Sequence, residues 1–564
     1  MLNIRDIKKW GRKRVPSLWS FGNYAYWRLR LAMPWTETTM FQQIRRIRES
    51  NRLDRASCNE SRKKVLFFAT RQERDQVAMT SMLSWALDRR GHIPIVLGCD
   101  RALRTSCNSG MWPKLDPWLC RSCHHYAEHA LSLAGMKTEW LSQSLPSGSR
   151  ERARAAVNRL CPEDYQGFLY RGYPVGRIVR PSVAHFLRTD KILNDHDAMR
   201  VYRDWIESGI CLVDLCENLL DRHKPDVIVM LNGLFAPEWI MLEAAKRRGV
   251  RSVCWEVGFV PETFHFRPNH ATDLVDNDLW KDFRDIPLTP EESRRLDRYL
   301  ALRETGGGYL VNYFPDLKDS ADEICREFGI DRSKVTFVLF PNITWDSSCF
   351  EKDLAFNGLA DWLTETILFF ADRPDAQLIV RVHPAEKVLK GAGRDSVATL
   401  IRERFPRRPA NLIVVPPESG ASSYVLMNLA TCGLVYGSTT GIEMGVRGIP
   451  VVVAADVYYR GFGLTFDPAT REDYRKLLDE FLSGRIATHD PRRIEAWRRY
   501  AYFAIFRSSI PLPKLCYSNE GDLPTWRFQQ MTELDPGKDL NLDVVCQGIT
   551  EGTPFLTAHF QWGD

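Results

Sequence analysis

The chain has 564 residues, of which 44% are hydrophobic and 26% charged, with a formal net charge of +6. Such a length exceeds what one core usually supports and predicts two domains of a soluble globular protein, while the mild positive charge suits an anionic ligand or a membrane surface and does not demand nucleic acid. No apolar run reaches about 18 residues and no signal-peptide layout is present, so the expectation is a cytoplasmic protein whose 14 scattered cysteines are thiols, not a secreted disulfide scaffold.

Residues 1–60 interleave Lys8, Lys9, Arg12, Lys13 and Arg14 with Trp10, Trp19, Tyr24, Tyr26 and Trp27. Rings beside cations suit the headgroup region of an anionic membrane, and a solvated arm lying on the protein body has the same composition. From Lys63 the pattern becomes buried strand, amphipathic helix closed by Gly91, then a second strand, which is a βαβ unit and implies a parallel sheet. Thr70 to Gln76 then fall beside a cleft, because ligands of such sheets bind beyond the carboxyl ends of the strands. Cys99, Cys107, Cys120 and Cys123 follow, with His124 and His125 adjacent; the spacing of the last two thiols allows a structural zinc, and buried or free thiols are the more ordinary account.

Residues 150–220 read as mostly helical. A further strand, helix and strand place Glu256 at a strand's carboxyl end before Gly258, where a carboxylate is a candidate general base. Glu262 and His265 lie just downstream. Thr289-Pro290-Glu291-Glu292 is a helix start, and the helix it opens, followed by Gly306, Gly307 and Gly308, reads as a linker.

The second half opens with a strand, Lys334 to Pro341, whose mouth carries Asn342, Thr344, Asp346, Ser347 and Ser348, and then a long helix over residues 353–371. The next strand ends in Arg381, His383, Pro384 and Glu386. Proline stops that strand and holds the imidazole over the cleft, where it can donate to a phosphate or carry charge once an anion raises its pKa. Near the end of the regular pattern, Cys432 to Tyr436 is a short strand and Gly437 a tight turn. Ser438, Thr439 and Thr440 then start a helix that Gly448 and Pro450 end, before the strand Val451 to Ala455. Hydroxyls and free amides at a helix start hold anions; they are also ordinary caps. The helix predicted beyond residue 490 could pack across both halves, and the last stretch of chain carries no signal.

The motifs RVHPAE and GSTTGIEMGVRGIPVVV, in that order and each at a strand end, resemble the capsule polysaccharide biosynthesis family, which includes bacterial β-Kdo transferases and is similar to polysialyltransferases and teichoic acid polymerases. The resemblance implies an α/β fold of the GT-B type, with two Rossmann-like doubly wound domains facing an interdomain cleft. Residues 61–290 would form the acceptor-side domain and residues 306–490 the nucleotide-sugar domain, with residues 1–60 an arm and residues 491–564 a crossover helix and tail. It implies a glycosyltransferase acting on a nucleotide-sugar donor and a glycan or lipid-linked glycan acceptor, with no cofactor required for catalysis and no nucleic acid partner. Such an enzyme would be cytoplasmic and peripheral on the inner face of the membrane. By position, His383 and Pro384 match the first phosphate-holding element, Ser438, Thr439 and Thr440 the second, and Glu443 the acidic residue after it. Asn342 and Arg381 join the donor side, and Glu256 is the candidate base. A nucleotide-sugar epimerase of the same architecture, or a non-enzymatic capsule-assembly component, would share these features.

Overall fold

The computed structural model describes Ala25 and residues 39–50, 62–71, 74–103, 106–107, 117–192, 195–272, 275–307, 317–388, 396–515 and 526–557. Most of the basic aromatic arm, with its expected membrane face, therefore lies outside the described residues.

In the first half, α1 (Thr39–Glu49), β1 (Lys64–Ala69), α2 (Arg74–Arg89), β2 (Ile93–Gly98), α3 (Pro117–Leu133) and β3 (Thr138–Trp140) precede α4 (Val175–Leu187) and α5 (His196–His223). Then come β4 (Val227–Leu231), α6 (Ala236–Arg248), β5 (Arg251–Val257) and β6 (Thr263–Pro268). Strands β3-β2-β1-β4-β5 pair in parallel in that order, and β6 pairs antiparallel with β5. Helices cover both faces, so the strands are nearly continuous apolar runs. In β1, Leu66 and Phe68 enter a core shared with α4, α5 and α6, while Val65 and Phe67 enter one shared with α1, α2 and α3.

The predicted helix start at Thr289 is present. Its hydroxyl accepts the Glu292 N–H and the Glu292 carboxylate accepts the Thr289 N–H, which begins α7 (Pro290–Glu304). Strands β7 (Val335–Phe340), β8 (Ala376–Arg381), β9 (Leu412–Val415), β10 (Cys432–Val435) and β11 (Val451–Val453) then repeat the first half's order as β9-β8-β7-β10-β11, all parallel. Val338 and Phe340 face one core, Phe337 and Leu339 the other. The fold is thus α/β, of the GT-B type, with two Rossmann-like units.

Between β7 and β8, helix α8 (Leu359–Ala371) is shorter than the periodicity suggests. Gly358 breaks it at a left-handed φ of +96°, and the segment before it is tied to the exit of β11 by the Asp456 N–H to Lys352 carbonyl bond of 2.8 Å. The helix α9 (Thr440–Val446) links β10 to β11, and α10 (Pro491–Tyr502) packs on both α9 and α7. The terminal stretch, silent in the sequence, completes the first half. Strand β12 (Ile510–Pro511) pairs antiparallel with β6, and α11 (Leu540–Thr550) buries Leu542, Val545 and Ile549 in the core that holds Val65. Among the described residues no helix is long and apolar enough to cross a membrane.

Candidate functional site

Where the strand order reverses, between β7 and β10, the second unit opens a cleft at the carboxyl ends of its strands. His383 and Pro384 leave β8, and Ser438, Thr439 and Thr440 leave β10; all five line one cavity of about 170 Å³. Arg381, Glu443, Ser422, Ser423 and Tyr424 complete its wall, with Arg303 and Gly306 from the end of α7. Residues far apart in the sequence therefore converge because neighbouring parallel strands end on the same edge.

The hydroxyl-rich turn is held from three sides. The Asn342 Oδ1 accepts the Gly437 N–H at 3.1 Å, the Tyr459 hydroxyl donates to the Ser438 carbonyl, and the Ser438 Oγ accepts the Thr440 hydroxyl at 2.9 Å. Thr439, although at the cap position, makes no side-chain cap bond, which leaves capping an incomplete account of these residues. Asn342 thus positions the turn and is not among the cavity-lining residues. Gly437 is not demanded by the turn: an added Cβ would meet nothing within 4 Å. Tight packing is instead required at Gly441 and Gly445, where a Cβ would lie 2.3 Å from the Tyr459 hydroxyl and 2.2 Å from the Trp497 ring.

The ring of His383 accepts the Ala385 N–H at Nδ1, at 3.1 Å. That bond places the ring proton on Nε2. Burial holds the imidazole below its ordinary pKa, a shift opposed by the Asp346 carboxylate and assisted by Arg381. Of the two roles the sequence offers this ring, the shift favours donation by a neutral imidazole N–H. Arg381 lines the cavity, but its Nη1 donates to the Pro416 carbonyl at 2.7 Å and its Nη2 to that of Ser419 at 3.0 Å, so it braces the loop after β9. Burial pushes its pKa down to about 10. Glu443 also faces the cavity, with one oxygen engaged by Arg303 at 2.7 Å. Arg303 escaped the sequence reading because α7 has the composition of a linker.

Glu386, beside Pro384, accepts the Val397 N–H at 3.1 Å, and burial pushes its carboxyl up to about 7. The folded state then retains a proton that the unfolded chain, with a carboxyl near 4.5, releases. Stability from this group is present below pH 4.5 and is lost as pH rises through about 7. Urea titrations at pH 5 and pH 8 should show the wild type losing about 3 kcal/mol relative to Glu386→Gln, which stays neutral. Equal losses in both proteins would refute it.

In the first unit the corresponding switch point, between β1 and β4, carries Thr70, Arg71 and Asn232. Thr70 and Arg71 both donate to Glu238, at 2.9 Å and 3.3 Å. Glu256 ends β5, where its carboxylate accepts from Asn232 Nδ2 at 2.8 Å and from the Val257 N–H at 3.0 Å. Burial nevertheless raises its pKa; the two hydrogen bonds and Arg71 oppose the shift, and Asp346 of the second unit adds to it. Asp346 thus acts electrostatically on both Glu256 and His383, although Glu256 is not among the residues lining the cavity. Glu262 is engaged by Arg527 at 2.8 Å, and His265 is buried in β6 between the Ser508 carbonyl and the Ser509 hydroxyl, its pKa down to about 4. Both belong to the packing of the β5–β6 hairpin. The sequence assigns no element to Thr263–Pro268; β6 is fixed by its pairing with β5 on one side and β12 on the other.

Cys107 and Cys120 lie near enough to Cys99 to add to the effect of burial, which pushes its thiol up to about 12. Among the described residues no group of three or more His, Cys, Asp or Glu side chains is arranged to hold a metal.

The sequence matches no protein-family model and no curated protein. Among solved structures, the chain is similar to the KpsC beta Kdo 2,4 transferase of Thermosulfurimonas dismutans, at 14% identity and a TM-score of 0.34 over 55% of this chain and 87% of that one. It is also similar to the UDP-GlcNAc 2-epimerase of Neisseria meningitidis bound to UDP-GlcNAc, at 13% identity and a TM-score of 0.23, covering 78% and 95% of the two chains. With CalG4, the calicheamicin glycosyltransferase, the values are 14%, 0.25, 79% and 94%. By its own strand order the chain has the GT-B arrangement of two Rossmann-like units.

Proposed function

We propose that the chain is a glycosyltransferase that moves a sugar from a nucleotide-activated donor to a growing surface glycan, such as a capsule or O-antigen polysaccharide or a lipid-linked precursor. The observation that carries the reading is the convergence of His383, Pro384, Ser438, Thr439 and Thr440 on one cavity. In this reading the donor phosphate occupies that cavity. An acceptor hydroxyl attacks the anomeric carbon, the bond to the phosphate breaks, and Glu256 takes the acceptor's proton. Charge grows on the leaving phosphate, where the His383 Nε2–H and the Ser438 and Thr439 hydroxyls donate to it, each contributing about 2.7–4 kcal/mol if comparable to an oxyanion donor, while the Thr440 hydroxyl orients Ser438. None of these steps is assigned to a metal. The basic arm would hold the enzyme at the inner face of the membrane.

The test is a thermal-shift screen of the full chain with CMP-, UDP-, GDP- and CDP-linked sugars. One class should stabilise it by about 2.7 kcal/mol at a roughly hundredfold excess over Kd. Stabilisation by none would sink the proposal, and donor turnover without an acceptor would make the chain an epimerase.

A further inference from the structure

The loop that leaves β7, residues 342–351, belongs to the second unit by chain order but docks on the first. Trp345 and Phe350 are buried in the core built by α4, α5 and α6. The ring of Trp345 meets His185 edge-on at 5.7 Å and lies under the Arg188 guanidinium at 4.2 Å. Arg180 lies over Phe350 at 5.3 Å, and Glu351 accepts from Arg177 Nε at 2.7 Å. All four partners sit on α4 or at its end. Arg188 and Glu351 both have left-handed backbone, at φ 58° and 61°, which residues with a side chain hold only where their surroundings impose it. At the other end of the loop, Asn342 accepts the N–H of Gly437, the residue that opens the hydroxyl-rich turn. Two backbone bonds stiffen the span between, from the Asp346 N–H to the Ile343 carbonyl and from the Cys349 N–H to the Asp346 carbonyl.

We propose that this loop couples the two units: seating Trp345 and Phe350 on α4 holds Asn342, and through it the Ser438–Thr440 turn, in the shape that grips the donor phosphate. The inference rests on the transferase reading for its ligand, but the coupling is a property of the loop itself. Asn342 and Trp345 are positioning residues. Arg177 is 54% exposed and its ion pair contributes little, so most of the coupling falls on Trp345, which is 6% exposed.

Hydrogen exchange on the full chain tests this without requiring activity. Trp345→Ala should speed amide exchange in residues 436–441 by about fivefold or more, together with residues 343–352. Asn342→Ala should do so at the turn while leaving α4 protected. Faster exchange in the loop with an unchanged turn overturns the proposal. Should Trp345→Ala unfold globally, the milder Trp345→Phe gives the same readout in reduced form, because the smaller ring fills less of the seat on α4; faster exchange in the loop with an unchanged turn again overturns the proposal. If the wild type binds none of the four donor classes, the transferase reading falls while the exchange result still decides the coupling.

Discussion

Replacing His383 with alanine is expected to lower the transfer rate about 100- to 1000-fold, the cost of removing one preorganised donor from a developing oxyanion. The ring is placed for this role by its own backbone. The Ala385 N–H occupies Nδ1, so the proton resides on Nε2, and burial keeps the ring neutral. A neutral donor needs no protonation step, so wild-type activity should not fall as pH rises through the ordinary histidine range. Stability should change little, because the bond to Ala385 contributes about 1 kcal/mol. Steady-state kinetics with the donor found by thermal shift, alongside a melting curve, measure both. A fully active variant would remove the imidazole from the mechanism.

Glu256→Gln should reduce transfer by roughly 100- to 10,000-fold, the range of general base catalysis, while donor binding is retained. The amide oxygen can still accept from Asn232, so the end of β5 keeps its shape. The pH dependence carries a definite sign. A base works ionised, and burial raises this carboxyl above its ordinary value, so wild-type kcat/KM should climb with pH through a midpoint above that of a free glutamate. Residual activity of the variant should lack that limb. If the variant kept both rate and limb, the base would have to be another group. Asp346, which acts on both Glu256 and His383, is where the search would begin.

What could be read along the chain was whatever depends on neighbours in sequence. Apolar runs and glycine punctuation located β1, β2, β4 and β5, and β7, β8, β10 and β11. The Thr289 capping pair located the start of α7, and parallel strands with intervening helices implied two doubly wound units. The convergence of His383 with Ser438, Thr439 and Thr440 was legible for the same reason, because parallel strands of one sheet deliver their ends to one edge.

What needed the tertiary structure were the pairings between distant segments. A two-residue strand containing proline has no periodicity, so only packing shows that β12 returns to the first sheet. Arg303 reads as a linker residue until α7 lies against α9 and its guanidinium meets Glu443. Side-chain roles were decided in the same way. The direction of Arg381 toward two carbonyls, the pairing of Glu262 with Arg527 and the burial of His265 all depend on where a polar group finds its partner once water is excluded. Local sequence specifies which groups are available. An unsatisfied buried polar group costs about 1–3 kcal/mol, and that penalty, set by the assembled fold, decides which of them are consumed by structure and which are left facing the cleft.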